Sequence, residues 1–361
     1  MVQVVKKLIG IILILTIVLA LFTGCTKRNQ SQFKSSEGHD KIVIGHVSKF
    51  SNLLLYLADH LGYFEEEGID AELRAFENNE KGMAAVLSGE IETGNFKTMP
   101  ALLAIDADED LTIVSGGHQH GYGILTLESN PKEYNFLKNY RGKTIGTVAN
   151  AMEDVLTKAA ITRLGFEVNK DINVVEFNSS ANLVEAIKNK EVDAGTICLS
   201  DIDKSQYEGL RLAVESIEFL EKHPAYSQVA RASFMEDQDN QKLFVRFNKA
   251  FLKAYKFYLE NPEETVDIIL NYIDIDRDML MGCIYDENKM FRLEQFWPHP
   301  SPVKAYNWKF LQDLQAFDYL KSGKDILNDY VYEDSYVEAM NSLAKKTKDP
   351  VYVELKSVHV C

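Results

Sequence analysis

Residues 57–103 read LADHLGYFEEEGIDAELRAFENNEKGMAAVLSGEIETGNFKTMPALL, and their periodicity decides the fold. Leu53, Leu54, Leu57, Ala58 and Leu61 form the apolar face of a helix that stops at Gly62. A strand follows, with Ala71, Leu73 and Ala75 on one face and Glu72, Arg74 and Phe76 on the other. Asn78 or Asn79 caps a second helix, whose apolar side is Met83, Ala84, Val86 and Leu87 and whose end is Ser88-Gly89. A short strand ends near Gly94, and Thr98 caps a third helix through Pro100, Leu102 and Leu103. Strand and helix periods alternating in this way predict βαβ units and a parallel sheet. Such sheets bind ligands at the carboxyl ends of their strands, beside helix amino-termini.

Gly62-Tyr63-Phe64, Gly68-Ile69, Leu87-Ser88-Gly89-Glu90 and Gly94 are the residues that carry a family resemblance. In their spacing, GYFEEEGIDAEL and AAVLSGEIETGNFKTMPALLA resemble the nitrate/taurine/aliphatic-sulfonate type of ABC-transporter substrate-binding protein. That superfamily also includes the fungal thiamine-pyrimidine synthases. The resemblance covers about residues 41–260. It implies an α/β chain of the type II periplasmic-binding-protein fold, with two βαβ lobes joined by two crossovers and a ligand cleft between them. The expected division is 41–123 plus 228–361 for the first lobe and 124–227 for the second.

Outward from the central stretch, Lys41–Gly45 (KIVIG) reads as the first strand, with Ser51 or Asn52 as the following cap. Leu111–Ser115 is another core strand, followed by a glycine-rich loop in which Gly116, Gly117, Gly121 and Gly123 admit close approach to a ligand. Gly123–Leu127 reads as the first crossover, and Leu137–Gly146 resembles the segment that opens the second domain of binding proteins. Helix 151–164, strand 173–177, helix 181–189 and strand 192–198 repeat the βαβ logic. Ser227–Ala232 reads as the return strand. Asn240–Asn261 is an amphipathic helix with Leu243, Phe244, Phe247, Phe251, Tyr255 and Tyr258 as its buried stripe, and Pro262 starts the next. Residues 265–361 read as structural helices packed back on the first lobe.

At the amino-terminus, Lys6 and Lys7 precede an apolar run from Leu8 to Phe22. Fifteen residues fall short of the ~20 that a bilayer span needs, and match a signal-peptide core. Phe22-Thr23-Gly24-Cys25 resembles a bacterial lipobox, with Phe22 in place of the usual Leu. Residues 1–24 are thus expected to be a signal peptide, Cys25 the lipidated residue and 25–40 a flexible tether. The protein is then extracytoplasmic and anchored to the bacterial cell membrane; an uncleaved anchor is the alternative.

The formal net charge is −15, and loss of the first 24 residues takes Lys6 and Lys7 with it and leaves −17. That disfavours nucleic acid as a partner. Cys25, Cys198, Cys283 and Cys361 lie far apart without metal spacing. No P-loop, nucleophile elbow or HExxH occurs. The synthase relatives use a cysteine-rich segment that this chain lacks, so an enzyme is the lesser reading and no cofactor is expected.

The candidate site lies on loops: 48–53, 95–99, 117–122, 148–153 and 199–201. Ser48, Ser51, Asn52, Lys97 and Thr98 offer hydroxyls, amides, a charge and helix amino-termini to an anion. Asn150 sits in the second-lobe loop Val148-Ala149-Asn150-Ala151, which lacks the hydroxyls that sulfonate binders often carry there. Tyr122 and Tyr226 are candidates for stacking on a flat ligand. His118 and His120 point the same way if extended, and with His46 and His223 offer a metal-binding alternative. For each polar residue, a cap or turn role remains open beside ligand contact. The resemblance implies capture of a small sulfonate-, nitrate- or pyrimidine-like solute by a monomer, and delivery to an ABC permease and its ATPase.

Overall fold

The computed structural model describes residues 38–47, 49–119, 121–198, 208–215, 223–285, 297–302, 311–323 and 329–359. The signal peptide, Cys25, most of the tether, Ser48, His120, the 199–201 loop and Cys361 therefore lie outside the described residues.

The chain runs β1 (Asp40–His46), α1 (Leu53–His60), α2 (Tyr63–Glu66), β2 (Ile69–Ala75), α3 (Asn79–Ser88), β3 (Thr93–Lys97), α4 (Thr98–Asp106) and β4 (Thr112–Gln119). It continues through β5 (Tyr122–Leu127), β6 (Thr144–Val148), α5 (Met152–Arg163), β7 (Asn173–Phe177), α6 (Ser180–Lys188), β8 (Ala194–Cys198) and β9 (Leu210–Glu215). Last come β10 (Pro224–Ala230), α7 (Ala232–Met235), α8 (Gln238–Glu260), α9 (Pro262–Ile269), α10 (Arg277–Ile284), β11 (Trp297–His299), α11 (Asp334–Thr347) and α12 (Pro350–His359).

These strands build two sheets, ordered β11-β4-β10-β3-β1-β2 and β7-β6-β8-β5-β9. In the first, β1 lies parallel to β2 and β3, while β10 runs antiparallel between β3 and β4. In the second, β6 is parallel to β7 and β8, and β5 is antiparallel to β8 and β9. The chain crosses from the first sheet to the second after Gln119 and returns before Pro224. This is the periplasmic-binding-protein architecture.

Local chemistry explains the elements. Ile42 and Ile44 alternate into the core from β1, and Leu53–Ala58 of α1 are all buried against it. From α8, Phe244, Phe247 and Phe251 recur at helical spacing and stack in sequence, with ring centroids 5.4 and 4.6 Å apart. Phe64 of α2 closes on Phe247 at 5.4 Å. Each buried phenylalanine contributes roughly 1.5–3 kcal/mol of apolar transfer. The Asn78 side chain accepts from Lys81 N and caps α3, and Pro262 opens α9 at its first turn.

Several local expectations give way to tertiary geometry. The amino-terminal cap of α4 is Lys97, with no side-chain bond; the Thr98 hydroxyl is 2.8 Å from that of Ser227 instead. Asn52 holds the cap position of α1, but its amide nitrogen turns back to donate to Val47 O and Lys49 O. On α3 the buried set is Gly82, Met83, Ala85 and Val86, and Ala84 is exposed. Gly116 and Gly117 belong to β4 rather than to a loop. A Cβ on Gly116 would stand 2.0 Å from His299 O, and one on Gly117 2.5 Å from Asn95 Oδ1, so these glycines admit neighbouring protein rather than ligand.

The carboxyl-terminal third does more than pack on the first lobe. Strand β11 pairs with β4. The Asp106 carboxylate accepts from Lys321 N, Ser322 N, Ser322 Oγ and Tyr330 Oη, fastening that segment to α4. Burial there opposes ionisation, but these donors outweigh it and bring the carboxyl down to about 2. The same segment reaches α5 of the second lobe: Arg163 pairs with Asp313, and the Tyr319 hydroxyl donates to Asp154. Among the described residues, no helix is long and apolar enough to cross a membrane.

Candidate functional site

Strand register places both carboxyl edges at the crossovers. Gln119, the last residue of β4, lies opposite Pro224, the first of β10. Tyr122, the first residue of β5, lies opposite Cys198, the last of β8. The two lobes therefore meet where their parallel strands end, the position at which open α/β sheets present a ligand site. Tyr122 and His223, one beside each crossover, bring their rings to 5.4 Å. Tyr122, Met152, Val155, Leu156 and Cys198 of the second lobe share one apolar cluster with Ala225 and Tyr226 of the first.

Across the first sheet runs a register row of polar side chains. His46 of β1 is opposite Asn95 of β3, Asn95 is opposite Gln228 of β10, and Gln228 is opposite Ser115 of β4. Residues directly opposite share a face of the sheet, so the four side chains line up over four strands. None exceeds 7% exposure. Tyr56 of α1 closes one end, its hydroxyl 3.2 Å from His46 Nδ1. Asn248 of α8 closes the other, accepting from Ser115 Oγ at 2.6 Å and donating to Phe244 O at 3.0 Å. Burial holds the His46 imidazole below its ordinary pKa of 6.5, against the opposing pull of the Val47 backbone and Asp59.

The hydrogen-bond chain fixes the row's orientation. Thr93 Oγ1 donates to Val229 O at 2.7 Å and accepts from Gln228 Nε2 at 2.7 Å. Gln228 Oε1 is thereby aimed away, buried and without a hydrogen-bond partner. The turn Phe50–Asn52 that follows β1 lies against β4, three strands away, and so spans the row. It brings Ser51 Oγ and Asn52 Oδ1, both buried and without partners. Asn95 Oδ1 and Gln119 Nε2 share that condition. Five unfilled polar atoms at one sheet edge contrast with the rule that buried polar groups are satisfied.

The second lobe contributes the first turn of α5. Glu153 is buried and its Oε1 accepts from Cys198 N at 3.3 Å, at the carboxyl edge of β8. Asp154, also buried, binds Thr147 Oγ1 at 2.9 Å and Lys158 Nζ at 2.5 Å. Burial pushes the Asp154 carboxyl up, against Lys158 and Thr147. Two carboxylates in the first turn occupy the helix end that an oxyanion would otherwise use.

The structure thus gathers Ser51, Asn52 and His118 around the row, with Lys97 half-buried at the end of β3, opposite Tyr226. Tyr122 and Tyr226 are buried in the inter-lobe cluster. Asn150 is exposed in a left-handed turn, φ 54°, before α5. His46 and His118 do not converge. Their strands are three apart in the sheet, which sets their backbones on the order of 14 Å apart. Among the described residues, no three His, Cys, Asp or Glu side chains are grouped to hold a metal. The residues that motif reading passed over are Gln228, Ser115 and Asn248. Each was visible as a polar residue within an otherwise apolar segment: Gln228 beside Ser227 in AYSQVA, Ser115 in LTIVS and Asn248 in the α8 stripe.

Two α/β lobes with a polar row at their junction define the substrate-binding-protein class. Known structures bear out that architecture. The nitrate-binding protein NrtA of Synechocystis PCC 6803 superposes with TM-score 0.66 at 16% identity, over 85% of this chain and 90% of that one. The aliphatic sulphonate binding protein SsuA of Escherichia coli gives 0.63 at 16%, over 81% and 92%. A zinc-bound ligand-binding component of an ABC-type import system from Staphylococcus aureus gives 0.64 at 15%, over 83% and 98%. Residues 50–265 match the family described as NMT1/THI5 like, and the chain belongs to it. A "putative binding protein" of Brucella abortus is 24% identical over 238 residues, 65% of this chain and 72% of that one. YtlA of Bacillus subtilis, named in the same words, is 22% identical over 267 residues, 72% and 78%.

Proposed function

We propose that this chain is the extracytoplasmic solute-binding component of an ABC importer. It captures a small organic solute between its lobes and delivers it to a membrane permease and its ATPase. The observation that carries this reading is the set of buried polar atoms without hydrogen-bond partners, from Ser51, Asn52, Asn95, Gln119 and Gln228, on and beside the register row of the first sheet. Closure of one lobe on the other about the two crossovers would shield such a solute from water. Relatives named for binding support a carrier rather than an enzyme.

Purification of the chain from its own host, followed by denaturation and mass spectrometry of what is released, tests the proposal. One small solute per chain is expected, and it should return unchanged after incubation with fresh protein. Its conversion to another compound would favour a synthase-like enzyme instead.

The anchor belongs to the same proposal. Cys25 carries the lipid, and a diacylated cysteine supplies the two chains that stable membrane attachment needs. The Cys25→Ser variant should leave the membrane fraction or remain unprocessed. Unaltered mass together with full membrane retention would count against lipidation at Cys25.

A further inference from the structure

The geometry points to an uncharged nitrogen compound, rich in N–H donors, as the solute of this site, and against an oxyanion. This rests on the solute-binding reading above.

Two amides at the row have a settled orientation. Gln228 spends its nitrogen on Thr93 Oγ1, whose own proton is committed to Val229 O. Asn52 spends its nitrogen on two backbone carbonyls, Val47 O and Lys49 O. Both leave their oxygens, Gln228 Oε1 and Asn52 Oδ1, buried and unfilled. An amide oxygen only accepts, so the complementary ligand atom carries a proton. Nitrate and simple alkanesulfonates offer acceptors alone and would leave both oxygens unpaired, at a cost of about 1–3 kcal/mol each.

Ser51, Asn95 and Gln119 add groups that adapt. A hydroxyl rotates, and a terminal amide presents either its donor or its acceptor according to its partner. The set therefore suits a molecule with at least two N–H groups and an acceptor or two beside them, the pattern of amides and amino-heterocycles. Charge balance favours neutrality. Among the described residues, Lys49 and Lys97 of the first lobe stand against Asp59 beside His46 and Glu153 of the second lobe, and the row brings no permanent charge. An ionised solute would be buried without a dedicated counter-charge in the row, which is costly.

The test titrates the full chain, solubilised in detergent and exhaustively dialysed, with cytosine, adenine and nicotinamide as neutral donors. Nitrate and methanesulfonate serve as oxyanions. At least one neutral probe should bind saturably by calorimetry and raise the thermal midpoint. Gln228→Met, which keeps the length but removes the acceptor, should weaken that probe at least about tenfold. An unliganded midpoint near that of the wild type certifies its fold, and Ser51→Ala serves as the second variant if Gln228→Met does not fold. Saturable binding of nitrate or methanesulfonate would overturn the donor class while leaving the carrier reading intact. A neutral panel that stays silent at millimolar concentration would also overturn it, and if no solute is released by denaturation either, the carrier reading falls with it.

Discussion

His46 is the titratable group built into the polar row, and its position has a measurable signature. Burial favours the neutral ring, so the folded-state pKa is depressed below the 6.5 of the unfolded chain. Between those two values the unfolded chain holds a proton that the folded one does not, and stability therefore rises with pH in that window. Acidification below pH 6.5 should lower the denaturant midpoint, and His46→Gln should flatten that slope. An identical slope in the variant would place the titrating group elsewhere. The sequence displayed His46 as one of several loop histidines, but nothing in it told how far apart they would lie. That distance depends on β10 entering between β3 and β4, and the partner of a strand arriving from residue 224 is not written in any local period. Gln228 escaped notice for the same reason, since its role arises from strand register, and Asn248 because its role arises from the packing of α8 against β4.

At the scale of elements, periodicity performed well where local rules act alone and shifted where packing dictates. The strand and helix order of residues 41–106 was legible, as was the phenylalanine stripe of α8. The buried face of α3 moved because of Phe96. Its ring lies in a slot walled by glycines, and a Cβ on Gly82, Gly94 or Gly45 would come within 2.2, 2.2 or 2.9 Å of its ring atoms. The Gly82→Ala change thus sets two effects against each other. Helix propensity favours alanine by about 1 kcal/mol, while overpacking a filled site costs about 1–3 kcal/mol. The collision should win, with a net loss of about 1 kcal/mol in chemical denaturation, and Phe96→Leu in the same chain should recover part of it. A stabilised Gly82→Ala variant would show that the slot yields. Strand β11 was missed because a three-residue edge strand containing Pro298 has no period to read.

For the whole molecule, residues 311–323 with Tyr330 work as a strap. Asp106 secures it to the first lobe, and the Arg163–Asp313 and Tyr319–Asp154 contacts secure it to the second. Hydrogen bonds to charged groups contribute about 1.5–3 kcal/mol when protected from solvent, and the Asp154 carboxylate is fully buried. Arg163→Ala combined with Tyr319→Phe should cost about 2 kcal/mol and loosen α5, seen as faster amide exchange along that helix. Unchanged exchange in α5 would mean that the strap bears no strain between the lobes.

The insertion of β10 between β3 and β4 also sets a timetable. A chain emerging from the ribosome or a translocation pore presents β1 to β4 first, yet β3 and β4 are not neighbours in the finished sheet. They wait for residues 224–230, so contacts between partners such as Thr93 and Gln228, 135 positions apart, form late and make for slow assembly. Until then the first half of the sheet exposes two unpaired edges, a state prone to wrong pairing. The strand that seals those edges is also the one that delivers Gln228, so the polar row is completed in the same step that brings protection from aggregation.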